Sequence, residues 1–369
     1  MASSIPNLNT LRTGRRGPRS RSSRNDHATL ADPTGSAEEV EAGRDKIVQA
    51  TDGDASSSRL SAVALGYMRD EYAHDFLPTG EQIAKRYPII NRGTYVRTTA
   101  IDQLVTRFLR TEPGQRKQIV SLGAGSDTRF WRLCGSTDEP CPNVVYHELD
   151  FESNATQKRA KIRHSPPFVE ATTRAEKAGS TYHLHALDLR DLTTKSPPII
   201  PDMDTTLPTL LLSECCLCYL PPETATSVLQ YFAMHFAPTT PLALVVYEPI
   251  RPFDAFGKTM VSNLASRAIH LQTLKRYSSL EAQRQRMRMA GFGDGQGARD
   301  VFQLYGSEEW VSGAERERVE RLEWLDEVEE WKLLASHYCV AWGWRGDVFK
   351  EAWSGLNGAM MSEEGVERG

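Results

Sequence analysis

Short apolar segments rich in β-branched residues alternate along the chain with segments whose apolar residues recur at helical spacing. The apolar segments predict strands at residues 119–122, 143–150, 182–189, 207–219 and 241–248, and a last strand at 337–344. Helical periodicity is clear in 97–110, 157–163 and 223–236. Because strands that alternate with helices form parallel sheets, the pattern predicts an α/β protein with a doubly wound, Rossmann-like sheet.

Composition divides the chain of 369 residues into two parts. Residues 1–57 are rich in Ser, Thr, Gly, Asp and Arg and carry few large apolar side chains, which predicts a disordered Ser/Arg-rich tail. Residues 58–369 are predicted to form one domain. Within it, the basic, Met-rich helical segment 254–290 is interpreted as a lid or substrate-binding insert.

Charge and hydropathy limit the partners that we expect. The formal net charge of −4 is far from the basic excess of nucleic-acid-binding surfaces, so no nucleic-acid partner is predicted. No apolar run reaches the ~18 residues that span a bilayer, so we expect no membrane segment and a cytoplasmic monomer, with the nucleus as an alternative location. The clustered Cys215, Cys216 and Cys218 are interpreted as buried packing residues, and no metal site is predicted.

The first strand ends in a tight turn that carries two glycines, Gly123 and Gly125. Glycine permits φ > 0 and lets the backbone approach a ligand closely. The turn is similar to the dinucleotide fingerprint G-x-G-x-x-G, but Thr128 stands at the third glycine position and no lysine follows. These differences argue against a nicotinamide-dependent dehydrogenase. They favour a cofactor that contains a nucleoside and no phosphates, such as S-adenosylmethionine.

Three acids lie at or near the ends of the next predicted strands, namely Asp150, Asp188 and Glu214. The carboxyl ends of parallel strands meet at one edge of a sheet, which is where α/β proteins bind ligands. We expect Asp150 to accept hydrogen bonds from ribose, and Asp188 to accept one from an adenine amino group with Leu189 against the ring.

Two arginines are candidates for holding the carboxylate of such a cofactor. A guanidinium group can bind a carboxylate in bidentate geometry, and Arg97 is the stronger candidate, with Arg59 the second. The alternative is that both are surface cations whose stems cover apolar residues.

The quoted residues resemble the leucine carboxyl methyltransferase family, which methylates the C-terminal leucine of the protein phosphatase 2A catalytic subunit. The resemblance runs from about Arg59 to Trp344, and its most specific string is Gly-Ala-Gly-Ser-Asp-Thr-Arg-Phe-Trp-Arg-Leu, ending at Leu133. It also covers 91–97, 148–151, 188–191, 212–220 and 256–264. The resemblance implies a class I S-adenosylmethionine-dependent methyltransferase sheet with a helical lid.

The resemblance also implies roles for individual residues. Arg97 would hold the cofactor carboxylate, and Arg59 stands where relatives often carry Lys. Gly123 would lie under the methionine part, Asp150 at ribose, Asp188 and Leu189 at adenine, and Glu214 at the amino-acid end. Tyr219 and the helix 256–264 would surround the leucine tail, with Tyr219 orienting the substrate.

Two other functions stay open from the sequence. One is a carboxyl methyltransferase of the same fold that acts on a small molecule or a modified tRNA base. The other is a phosphatase adaptor that binds the cofactor without turnover. The intact glycines and acids weigh against the adaptor.

Overall fold

The computed structural model describes residues 37–77, 82–135, 140–326 and 328–357. Its strands are β1 Lys117–Leu122, β2 Val144–Asp150, β3 Thr181–Ala186, β4 Thr209–Glu214, β5 Leu242–Pro249, β6 Gly295–Asp300 and β7 Tyr338–Arg345. They form one sheet in the order β3-β2-β1-β4-β5-β7-β6. β7 is antiparallel to both β5 and β6, whereas the pairs from β3 to β5 are parallel. The predicted Rossmann-like fold is confirmed.

Helices cover both faces of this sheet. They are α1 Ala37–Ala64, α2 Pro88–Arg110, α3 Arg129–Gly135, α4 Glu152–His164, α5 Pro166–Lys177, α6 Pro222–His235, α7 Ala255–Ala265, α8 Leu280–Met289, α9 Val301–Gly306, α10 Gly313–Glu320, α11 Val328–Ala335 and α12 Asp347–Trp353. Within β1, Ile119 belongs to one apolar core and its neighbour Val120 to the other. This alternation shows that the strand is buried on both faces, which explains its continuous apolar composition.

The prediction of a disordered tail through residue 57 is wrong for its last part, because α1 begins at Ala37. Residues 1–36 lie outside the described residues. The contacts that hold this part of α1 include ion pairs, such as Asp45 with Arg190 at 2.6 Å and Asp54 with Arg86 at 3.4 Å. Composition alone did not predict α1, since charged contacts to the rest of the fold contribute to its order.

Other elements also differ from the predicted pattern. The segment 254–290 contains two helices, α7 and α8, joined by an irregular stretch. The acidic stretch 310–334 contains α10 and most of α11. The sequence predicted neither α5 nor β6. None of the helices in the described ranges is long and apolar enough to span a membrane.

Candidate active site

A cavity of about 500 Å³ lies at the carboxyl edge of the parallel strands. This volume falls in the range of small-molecule and cofactor sites. Every site residue that the sequence predicted lies on its wall. They are Arg59, Arg97, Gly123, Asp150, Asp188, Leu189, Glu214 and Tyr219.

The glycine turn forms the floor of the cavity next to β1. Gly123 has φ +63° and Gly125 has φ +48°, both in the left-handed region that favours glycine. A Cβ atom at Gly123 would lie 2.5 Å from the Sγ atom of Cys216. The turn therefore requires glycine at position 123 for two reasons, its φ and the space available.

Asp150 connects this turn to the end of β2. Its Oδ2 atom accepts a hydrogen bond from the Gly125 amide at 2.6 Å, and Oδ1 accepts one from the Phe151 amide at 2.7 Å. Burial raises the pKa of Asp150 above its ordinary value, although both amide hydrogen bonds lower it. Oδ1 also accepts a hydrogen bond from the Asn154 side-chain amide at 3.2 Å, so Oδ2 is the oxygen that can accept a further hydrogen bond from a ribose hydroxyl.

Asp188 lies at the turn that follows β3 and caps the 3-10 helix Leu189–Thr193. Its Oδ1 atom accepts a hydrogen bond from the Arg190 amide at 2.9 Å. The Arg190 guanidinium also contacts both carboxylate oxygens of Asp188, through Nε at 3.0 Å. Arg190 was not among the residues predicted from the sequence, and it fixes the orientation of the predicted adenine acceptor.

Arg97, on α2, is ion-paired at the end of β4. Its Nε atom donates to Glu214 Oε2 at 2.7 Å, and its guanidinium lies 4.4 Å from the centroid of the Tyr247 ring. Among the described residues, no acceptor hydrogen-bonds to the two terminal nitrogens of Arg97. These nitrogens are therefore available for a ligand carboxylate.

The other oxygen of Glu214 binds a second arginine, Arg129, which the sequence analysis missed. The side chain of Arg129 is 1% exposed and contacts Glu214 at 2.8 Å, Asp102 at 2.8 Å and Asp127 at 2.6 Å. Burial raises the pKa of Asp127, but the charges of Arg129 and Arg59 outweigh it and hold the pKa well below its usual range. Asp127 and Arg129 lie in the quoted glycine-turn string, so their position next to the turn was the available signal.

Arg59 differs from Arg97 in its partners. It contacts Asp70 Oδ2 at 3.2 Å and Asp127 Oδ1 at 3.7 Å. The same Asp70 oxygen accepts a hydrogen bond from Thr128 at 2.6 Å. Arg59 thus lies on the cavity wall and also braces the helix start after the glycine turn.

Helix α1 covers the open side of the cavity. Asp52 accepts hydrogen bonds at one oxygen from the Ser126 amide at 2.8 Å and the Ser126 hydroxyl at 2.7 Å. Thr51 on this helix lines the same cavity as Tyr219. The sequence did not indicate these residues, because their segment has the composition of a disordered tail.

Part of the remaining wall is apolar. Ile89 and Ile90 on α2, Leu264 on α7, and Leu334 on α11 line the same cavity. Residue Leu264 belongs to the predicted lid segment, whose role stays a prediction. A nucleoside-bearing cofactor together with a small apolar ligand would match both parts of the wall.

The sheet order, the glycine turn and the acidic strand ends together define a class I methyltransferase, a class whose methyl donor is S-adenosylmethionine. The profile of the family named leucine carboxyl methyltransferase matches residues 47–233. The chain belongs to the leucine carboxyl methyltransferase family.

Curated relatives agree over most of the chain. A leucine carboxyl methyltransferase 1 of Emericella nidulans is 48% identical, with 98% of this chain and 100% of the relative covered. A protein of that name from Schizosaccharomyces pombe is 39% identical, with 79% of this chain and 92% of the relative covered. The Arabidopsis thaliana homologue is 36% identical, with coverage of 80% and 88%.

Solved structures are more distant. A DUF574 family protein from Streptomyces avermitilis is 13% identical with a TM-score of 0.43, over 79% of this chain and 97% of that one. Phosphoethanolamine N-methyltransferase 2 of Haemonchus contortus, in complex with S-adenosyl-L-methionine, is 16% identical with a TM-score of 0.37, over 66% and 51%.

Proposed function

We propose that this protein transfers the methyl group of S-adenosylmethionine to the α-carboxylate of the C-terminal leucine of the protein phosphatase 2A catalytic subunit, forming a methyl ester. The observation that carries the proposal is a single cavity with two kinds of wall. One wall has the glycine turn and the strand-end acids, and the other has Ile90, Leu264 and Leu334. The family name supports leucine as the acceptor.

The chemistry requires no general base. A peptide α-carboxylate has a pKa of about 3.3–3.7 and is already an anion at neutral pH. When bound, S-adenosylmethionine supplies an electrophilic methyl group to a carboxylate oxygen. The residues of this chain therefore contribute positioning and exclusion of water, through effective molarity.

Arg97 suits the cofactor carboxylate better than the attacking carboxylate. An arginine that gripped the attacking oxygen would stabilise the ground state and oppose transfer. Glu214 lies 2.7 Å from the Nε atom of Arg97 and neutralises much of the arginine's charge. This contact also orients the two terminal nitrogens of Arg97. We assign Arg97 to the cofactor, with Glu214 holding it in place.

Tyr219 is proposed to orient the substrate. Burial raises the pKa of Tyr219 well above its ordinary value, so the hydroxyl stays protonated and can donate a hydrogen bond to a carboxylate. Replacement of Tyr219 by Phe should raise KM or lower kcat for a leucine-ending peptide. Unchanged kcat and KM would show that the orienting role is wrong.

The direct test uses labelled S-adenosylmethionine and purified phosphatase catalytic subunit, with its natural C-terminus or without the final leucine. We expect base-labile label on the first protein and none on the second, because a methyl ester is cleaved by base. Label on a small carboxylic acid only would favour the small-molecule enzyme. Cofactor binding without any transfer would favour the adaptor.

A further inference from the structure

The strand end that carries Glu214 continues into an unusual turn at Cys215. The backbone there has φ +49°, a left-handed conformation that is unfavourable for residues other than glycine. The Cys215 amide donates a hydrogen bond to the Tyr247 carbonyl at 2.8 Å, which holds the turn against β5. This turn brings Cys215 to the wall of the cofactor cavity, so it is not only a buried packing residue.

Cys215 and Cys218 form a thiol pair. Each thiol shifts the pKa of the other, and Cys218 is 1% exposed. Their spacing is C-x-x-C, which is the spacing of dithiols that form disulfides in redox proteins. Cys216 lies against Gly123 instead, in the contact that excludes a Cβ atom there. The spacing thus pairs Cys215 with Cys218 and leaves Cys216 outside.

The surroundings make the two thiols unequal. The neighbouring Cys218 thiol and the positive charge of Arg97 lower the pKa of Cys215, although burial opposes them. Burial and the neighbouring Cys215 thiol raise the pKa of Cys218. Of the two thiols only Cys215 lines the cavity, and the thiolate is the nucleophile, so we expect Cys215 to react first with an oxidant.

We propose that Cys215, on the wall of the cofactor cavity, and the buried Cys218, which does not line it, are a peroxide-oxidisable dithiol, and that their disulfide weakens cofactor binding. The Cys215 thiolate attacks a peroxide oxygen, the O–O bond breaks, and a sulfenic acid forms with release of hydroxide. The Cys218 sulfur then attacks the sulfenic sulfur and displaces hydroxide. The protons of the two thiols convert both hydroxides to water, so two thiols and one hydrogen peroxide yield one disulfide and two waters.

The disulfide would disturb the site because it shortens the distance between the two sulfurs. An S–S bond is about 2.05 Å long, shorter than any hydrogen bond between thiols. Cys215 directly follows Glu214, which holds Arg97, and Cys218 directly precedes Tyr219. A shift of the turn therefore displaces residues on both sides of it. The proposal depends on the proposed function only for the cofactor and not for the methyl acceptor.

The reduced full-length protein is oxidised with a small excess of hydrogen peroxide and then unfolded in guanidinium chloride, so that N-ethylmaleimide reaches every free thiol. The intact mass is then measured. Of the six cysteines, two should remain unlabelled. These two should become labelled when the protein is reduced with dithiothreitol and treated with N-ethylmaleimide again. Fragmentation of the cysteine-containing peptide should map the disulfide to Cys215 and Cys218. Calorimetry should show cofactor affinity weakened by about tenfold or more, since small displacements in a site have effects of this size.

A second thiol pair provides the matched control. Cys134 and Cys141 also shift each other's pKa, and neither lines the cavity. Cys134→Ser should keep the peroxide effect on cofactor binding, whereas Cys218→Ser should abolish it and leave binding by the reduced protein unchanged.

Three results would overturn the proposal. They are a disulfide mapped to Cys134 and Cys141 alone, labelling of all six cysteines after oxidation, and unchanged cofactor affinity after oxidation. The mapping uses the wild-type protein, so it holds even if Cys218→Ser fails to fold. Neither readout requires the phosphatase, so failure of methyl transfer is a separate result.

Discussion

Arg129 shows how one buried side chain organises the acidic part of the site. It contacts Asp102, Asp127 and Glu214, and Glu214 in turn contacts Arg97. Such a network does not add stability merely by being buried, because removing charges from water is costly. It does fix the direction of each carboxylate, which is what a ligand-binding wall needs.

Replacement of Arg129 by Gln should be strongly destabilising. The change leaves the carboxylates of this cluster without their shared cation, and breaking a buried pair typically costs about 3–5 kcal/mol. Urea denaturation measures the loss. The matched control is Arg321→Gln, which removes an exposed contact to Glu317 and should leave the free energy of unfolding nearly unchanged. Equal effects of the two changes would contradict the bracing role of Arg129.

Gly123→Ala should both destabilise the fold and weaken cofactor binding. Gly114 is the control, because it also has positive φ, at +88°, but a Cβ atom there would meet nothing within 4 Å. Gly114→Ala isolates the backbone cost of roughly 1–2 kcal/mol. At Gly123 the contact with Cys216 adds to that cost, so urea denaturation should show a larger loss. Similar losses at both positions would mean that Cys216 moves aside freely.

The strand-end acids could be predicted from sequence because parallel strands bring their carboxyl ends together whatever the side chains are. Asp150, Asp188 and Glu214 are in this group. Arg129 could not be found in the same way, since its partner Asp102 lies on α2 and only the folded chain brings the two together. The structure shows where these residues lie on the cavity wall, and their roles in binding remain predictions.

At the level of elements, β6 shows why sequence periodicity fails at some strands. Its sequence, Gly-Gln-Gly-Ala-Arg-Asp, has none of the β-branched residues that favour strands. Gly295 and Gly297 pair with Trp344 and Trp342 of β7, and a Cβ atom at either glycine would lie 2.1 Å from the indole ring. The strand forms because its glycines leave room for two tryptophans, which only the neighbouring strand explains.

Helix α1 is another element that the sequence did not predict, and it should contribute to cofactor binding through Arg190. This arginine contacts Asp188 on the cavity wall and both Glu41 and Asp45 on α1. Arg190→Ala should weaken binding of S-adenosylhomocysteine by about tenfold, because three carboxylates lose a charge-assisted partner. Hydrogen exchange in α1 should also become faster.

Arg276→Ala is the control for this helix. Arg276 pairs with Glu223 at 3.0 Å, and neither residue contacts α1. This change should leave both the affinity and the exchange of α1 unchanged. If Arg190→Ala weakened binding without faster exchange in α1, its effect would come from Asp188 alone.

For the whole molecule, two neighbours on β2 give the stability opposite dependences on pH. Burial lowers the pKa of His147 to about 3, with the charges of His183 and His185 adding to the effect. Burial raises the pKa of Glu148 to about 7, although Lys158 opposes the shift. The two side chains point to opposite faces of the strand, so each belongs to a different core.

The signs follow from proton binding in the folded and unfolded states. Unfolded His147 takes up a proton below pH ~6.5 whereas the folded state resists it, so its contribution to stability falls as pH decreases from ~6.5 to ~3. Folded Glu148 keeps its proton up to about pH 7 whereas the unfolded state loses it near pH 4.5, so its contribution falls as pH increases across that range. Between about pH 4.5 and 6.5 the two effects oppose each other.

His147→Asn should therefore cost less stability at low pH than at neutral pH. At pH 7.5 the difference in the free energy of unfolding between wild type and variant reflects only packing and the hydrogen bond to His185 at 3.0 Å. The measurement at pH 7.5 is therefore the internal control. At pH 5.5 the difference should shrink by about 1.4 kcal/mol, since one unit of pKa shift is worth about that much. Urea denaturation at the two values measures it, and Glu148→Gln should change in the opposite direction. If the cost of His147→Asn were equal at both values, the imidazole would take up its proton in the fold as readily as in the unfolded chain, and burial on β2 would not exclude that charge.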